Sequence, residues 1–134
     1  MVYYYGIVQS RGDNMITVNP GGIKPIHEQI KESVEKRILS GVMEKGEFLP
    51  SVRELACSLA INPNTVQKAY SALEAEGITM SVSGRGRVVA VDSEELKKMK
   101  AKDEFSNLEL SAKKLMEYGF TAEDICDFIK EMKK

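Results

Sequence analysis

The densest chemistry in the 134-residue chain lies between residues 62 and 71. Asn62, Asn64 and Gln67 bring carboxamides, Thr65 and Ser71 hydroxyls, and Lys68 an ammonium, with no acid among them. If this stretch is helical, Val66, Ala69, Tyr70 and Leu73 share its apolar face, leaving Asn64, Thr65, Gln67, Lys68 and Ser71 on the free side. Carboxamides can make paired hydrogen bonds to adenine, and a threonine offers both a hydroxyl and a methyl to a base edge. The start of a helix also favours a phosphate. Further along, Arg85 and Arg87 flank a glycine in Ser83-Gly84-Arg85-Gly86, a thin cationic turn suited to the sugar-phosphate wall of a duplex.

Recognisable elements must hold these groups. Pro25 suits the first turn of a helix on which Ile26, Ile30, Val34 and Ile38 recur every fourth residue, and Gly41 suits its C′ stop. Ser51 is placed to cap a second helix with Val52, Leu55, Ala56 and Leu59 inward, and Glu54 stands at N3 for a capping box. Asn62 caps a third helix, with Pro63 at its first position and Gly77 at its end. The period then changes: Ile78, Met80 and Val82 alternate with Thr79 and Ser81 as in a half-buried strand, and residues 87–91 return. Helix, helix, short turn, helix and two-stranded hairpin make a winged helix-turn-helix. Its third helix fits a major groove, braced by the second against the backbone.

After the hairpin the helical period resumes. Ala101, Phe105, Leu108, Ala112 and Leu115 form a stripe with alternating spacings of four and three. Tyr118-Gly119 breaks it, and Thr121 caps a last helix with Ile125, Phe128, Ile129 and Met132 on one face. Such an αα-hairpin cannot bury both stripes alone, and a second copy of the chain is the simplest cover. The expected fold class is therefore mainly α with a small β-wing. Residues 1–21 form an N-terminal arm, 22–91 the winged helix-turn-helix, and 92–134 a two-helix dimerisation tail. Met15 opens a segment like a normal start, so the sequence leaves Met1 and Met15 both open as the native first residue.

Composition narrows the class. With 43% hydrophobic and 29% charged residues the chain reads as soluble and globular. Its apolar runs are too short to span a bilayer, and residues 1–7 lack the features of a secretory signal. Net charge is −1, so charge lends nucleic-acid binding little support. Residues 22–91 carry nine Lys/Arg against eight Glu, whereas 92–134 carry nine Lys against eleven acids, which places the acid excess in the tail. Cys57 and Cys126 lack metal-site or disulfide spacing, which points to a reducing cytoplasm and no metal. Cys57 reads as core packing, with Cys126 similar, and His27 as a buried or capping residue. Lys97, Lys98, Lys100 and Lys102 read as a solvated helix face, and the Tyr3–Tyr5 run as a packed arm.

The order and separation of these motifs resemble the GntR-family DNA-binding domain. The resemblance rests on Pro25-Ile26-His27-Glu28-Gln29-Ile30, Leu49-Pro50-Ser51-Val52-Arg53-Glu54-Leu55-Ala56 and Asn62-Pro63-Asn64-Thr65-Val66-Gln67-Lys68-Ala69-Tyr70. It continues through Leu73-Glu74-Ala75-Glu76-Gly77 and Gly84-Arg85-Gly86, and covers about half of the chain. The Asn-Pro-Asn-Thr-Val string and the short tail resemble the YtrA-like subfamily in particular. What this implies is a DNA-binding regulator, most often a repressor, acting as a homodimer on an inverted-repeat operator. It implies DNA contacts for Arg53, Asn62, Asn64, Thr65 and Gln67, with Lys68 beside them, and for Ser83, Gly84 and Arg85 in the wing. Phe105, Leu108, Ala112, Leu115, Ile125, Phe128 and Ile129 are the expected dimer residues. Relatives of this kind commonly control transporter operons and their own promoters.

Two departures from the family stand out: Ala60 where many relatives carry Gly, and Thr79 where many carry an aliphatic residue. Some relatives are fused to a pyridoxal-phosphate enzyme domain, but the stretch after Val91 is far too short for one, so no enzyme and no cofactor is expected. A protein-interaction module without DNA binding would present an apolar or acidic recognition face, unlike that of residues 64–68. A two-helix tail has little room for the roughly 300 Å³ or more of a metabolite pocket, which leaves any effector unknown.

Overall fold

A computed structural model of the chain describes residues 8–10 and 14–132. Two short strands, β1 (Val8–Ser10) and β2 (Asn14–Ile16), pair antiparallel with Gln9 opposite Met15. The Tyr3–Tyr5 run lies outside the described residues. Three helices follow, α1 (Ile26–Leu39), α2 (Val52–Leu59) and α3 (Pro63–Ala75). The wing hairpin is β3 (Thr79–Val82) with β4 (Gly86–Val89), and two further helices are α4 (Ser93–Glu117) and α5 (Ala122–Glu131). The chain divides into two compact units at Lys97/Lys98.

In the first unit the inward face of α1 (Ile30, Val34, Ile38) meets Val66, Ala69, Tyr70 and Leu73 of α3, all buried. Leu55, Ala56 and Leu59 of α2 close the other side. Each of the larger aliphatic side chains contributes about 1.5–3 kcal/mol by leaving water, so the polar face of α3 is carried on a firm support. Pro25 sits at the N-cap of α1, one position before the expected first turn. Ser51 caps α2 as expected, its Oγ accepting from the Glu54 N–H at 3.0 Å, but the return bond of a capping box does not form there. A complete box forms instead at α5, between Thr121 and Asp124. Hydrogen bonds from the Thr121 N–H and hydroxyl hold the Asp124 carboxyl below its ordinary pKa.

The α2–α3 turn is made by a Schellman arrangement: the Ile61 N–H reaches the Ala56 carbonyl and the Ala60 N–H that of Cys57. Ala60 therefore occupies the left-handed position, at φ 54° and ψ 47°, where glycine is usual. Alanine there costs about 1–2 kcal/mol, and glycine gives back part of that through its freer unfolded chain. Ala60→Gly is accordingly expected to raise stability by about 0.5–1 kcal/mol, read from the urea midpoint at unchanged m-value.

The wing departs from its expected phase. Met80, expected inward, is 51% exposed, whereas Thr79, expected outward, is 2% exposed. The cause is the end of α3. Gly77 takes φ +78°, and the Ile78 N–H bonds to the Leu73 carbonyl, so Ile78 is buried as part of the helix cap. The pleat starts one residue later, and a shift of one residue exchanges the faces. Thr79 thereby brings a buried Oγ1 with no hydrogen-bond partner among the described residues. An orphaned hydroxyl costs about 1–3 kcal/mol, so the isosteric Thr79→Val should stabilise the chain by at least about 1 kcal/mol in thermal or urea unfolding. A loss of stability would show that the hydroxyl is satisfied.

Two further expectations are corrected. Cys57 is exposed rather than packed in the core, and so is Cys126. Leu96 in the first turn of α4 is fully buried, so the head's core runs past residue 91. In the second unit α4 ends in its own Schellman motif, with the Phe120 N–H on the Leu115 carbonyl and the Gly119 N–H on that of Met116. Phe105 (69%) and Phe128 (68%) are exposed, as are Leu108, Leu115 and Ile129, so both stripes face solvent in the single chain. Between them Leu115, Phe120, Ile125 and Phe128 line an open groove of about 490 Å³, more room than the sequence led us to expect in the tail.

Candidate nucleic-acid interface

The start of α3 is set by Asn62, whose Oδ1 accepts from the Asn64 N–H at 2.8 Å. The cap occupies one lone pair of that oxygen, so Asn62 meets a partner chiefly through its amide protons. Asn64, Gln67, Lys68 and Ser71 are exposed and Thr65 is half-buried, as the helical spacing predicts. Gln67 Nε2 donates to Ser71 Oγ at 3.0 Å. This bond holds the carboxamide along the helix while leaving its oxygen and second amide proton free.

Arg53 is exposed in the first turn of α2, and Ser83, Gly84 and Arg85 are exposed in the wing turn. A groove of about 590 Å³ joins these two places, running between Ser51 and Glu54 on one wall and Ser83 and Arg85 on the other, with Tyr70 among its lining. Arg85 lies over the Phe48 ring, 6.0 Å from its centroid. Lys68, Arg53 and Arg85 make no ion pair among the described residues, so they are cations available to phosphate.

Sequence reasoning missed the device that aligns wing and helices. Segment 46–49 adds to the free edge of β4: the Leu49 N–H bonds to the Arg87 carbonyl and the Val89 N–H to the Glu47 carbonyl, both at 2.9 Å. By its place in the sequence Arg87 reads as a turn cation. Its side chain is 18% exposed, stacks on Tyr70 at 5.5 Å and stands 3.9 Å from Glu74 of α3. Glu74 also accepts from the Ser81 hydroxyl. The Tyr70 hydroxyl donates to the Pro50 carbonyl at 2.8 Å, immediately before the Ser51 cap, and burial pushes its pKa up. One aromatic ring thus ties α3, the wing and the start of α2 together. The signal was present in the sequence as a tyrosine on the apolar face, whose hydroxyl must find a partner when buried.

The sequence model for bacterial regulatory proteins of the gntR family matches residues 26–89, from α1 through β4. The HTH-type transcriptional regulator YhcF of Bacillus subtilis (strain 168) is 36% identical over 107 residues, covering 80% of this chain and 88% of that protein. The chain belongs to the GntR family. The HTH-type transcriptional repressor YtrA of the same organism is 47% identical over 76 residues, 57% of this chain, and the match spans 58% of that repressor. Among solved structures, a GntR-family regulator from Listeria monocytogenes aligns with TM-score 0.59 at 32% identity, over 83% of this chain and 97% of that one. YtrA from Sulfolobus acidocaldarius aligns with TM-score 0.56 at 33% identity, over 70% and 97% respectively. These GntR relatives are transcriptional regulators and not enzymes. Among the described residues no group of His, Cys, Asp and Glu is placed to hold a metal ion, and no helix is long and apolar enough to cross a membrane.

Proposed function

We propose that this GntR-family regulator is a sequence-specific DNA-binding repressor, working in the cytoplasm as a homodimer on an inverted-repeat operator. The observation that carries the reading is the exposed, acid-free first part of α3 (residues 63–71), set on a buried core and flanked by unpaired cations in α2 and the wing. Asn64, Thr65 and Gln67 read base edges, while Arg53, Lys68 and Arg85 hold phosphates, with Asn62, Ser83 and Gly84 fitting the backbone around them. Two such heads need a twofold link to span successive major grooves. The stripes containing Phe105, Leu108, Ala112, Leu115, Ile125, Phe128 and Ile129 supply it, since a monomer leaves them in water. The resemblance to the YtrA-like subfamily extends this reading to the regulated genes, a transporter operon and the chain's own promoter. Footprinting on that promoter tests the whole reading: a protected inverted repeat is expected, and protection that ignores sequence would sink it.

A further inference from the structure

A second cleft, of about 730 Å³, lies away from the recognition face, between the segment that follows β2 (residues 17–19) and the outer side of α1. Its walls are preorganised. Gln29 exchanges hydrogen bonds with the backbone of Asn19 and donates to the Lys24 carbonyl at 2.8 Å. The Thr17 N–H donates to Ser33 Oγ at 3.3 Å, which leaves the Ser33 proton free to donate.

Arg37, in the last turn of α1, lines this cleft. Its Nε is buried without a hydrogen-bond partner, and it makes no ion pair among the described residues. Desolvation pulls its pKa down from the usual guanidinium value. Buried donors normally have a partner, so the guanidinium of this half-buried arginine is incomplete. The ordinary alternative is that Arg37 serves the carbonyls at the end of α1. Those carbonyls are already engaged: Lys36 by the Ser40 N–H, Arg37 by the Met43 N–H, and Ile38 by the Gly41 N–H. Lys36 lines the same cleft, and the one acid on its wall, Glu32, is held by Lys24.

We propose that this cleft binds a small anion through a carboxylate or phosphate group, held by the Arg37 guanidinium with Lys36 and the Ser33 hydroxyl beside it. The inner face of the same helix packs on α3, so the bound anion is an effector acting from behind the recognition helix. The effector role rests on the DNA-binding reading, whereas occupancy of the cleft does not.

The test follows the Arg37 Nε–Hε NMR signal of the full chain during separate titrations with inorganic phosphate and with succinate. A saturable shift with at least one of them is expected, and the better of the two identifies the group recognised. Arg37→Met should weaken that binding about tenfold or more, the worth of a charge-assisted contact, and Arg37→Lys by less. Arg85→Ala should leave the Arg37 shift intact. Absence of a saturable shift with both anions, shifts confined to Arg85, or equal binding by a folded Arg37→Met would each overturn the site. The anion should also change operator affinity in the unsubstituted chain and not in Arg37→Met. If the cleft binds but operator affinity is unmoved, the effector role falls while both DNA binding and the site stand.

Discussion

Replacing Leu108 and Phe128 together by Glu in the full chain is expected to give a folded monomer whose affinity for an inverted-repeat operator drops roughly 10²–10⁴-fold, the avidity lost when two linked heads become one. The design exploits a feature of the tail. Both side chains are exposed in the single chain, so charging them takes little from the fold of one copy. Any loss measured therefore belongs to contact between copies. Sedimentation should report a monomer, circular dichroism an unchanged helix content, and binding to an isolated half-site should survive. A doubly charged tail that still sediments as a dimer would remove these helices from the interface.

The second large effect separates reading from holding. Gln67→Ala should cost about 1–3 kcal/mol at one base pair of the operator and relax preference there, leaving other positions unaltered. The Ser71 contact orients the carboxamide in advance, so little ordering offsets this loss when it binds. Arg85→Ala should behave differently, weakening all sequences to a similar degree and lowering the slope of log affinity against log salt by about 1. Anisotropy titrations of both variants over a panel of single-base operator changes and salt concentrations make the comparison. Interchanged signatures would place the wing in the groove and the third helix on the backbone.

Much of the head was legible because its signals are local. Ser51, Asn62 and Gly77 fixed helix ends through their own side chains or the want of one, as Thr121 did in the tail, and the four-residue spacings named the buried faces of the head. Ala60 was legible as a departure, since a residue standing where family members keep glycine marks a left-handed turn before any coordinates are known. What escaped came from contacts distant in sequence. Thr79 turned inward because the cap of α3 consumed Ile78, so the strand's alternation began a residue late. Segment 46–49 joined β4 across some forty residues, with no pattern of its own to announce it. Arg87 looked like Arg85 in the turn, and only the placement of Tyr70 and Glu74 sends one inward and leaves the other free. On α1 attention to the apolar row concealed the polar one, where Gln29, Ser33 and Arg37 also recur every fourth residue.

The edge that residues 46–49 give to β4 bears on how the wing would meet a duplex. A free two-stranded ribbon is marginal in water and must be ordered when it docks. This ribbon has a third neighbour, a stacked arginine and a shared tyrosine, so it arrives with its shape already set. Its amides at Leu49 and Val89 should exchange with solvent only when the whole head opens. Association through the wing then carries little ordering entropy, and its heat capacity change should be that of rigid docking, without the added term of a segment that folds on contact.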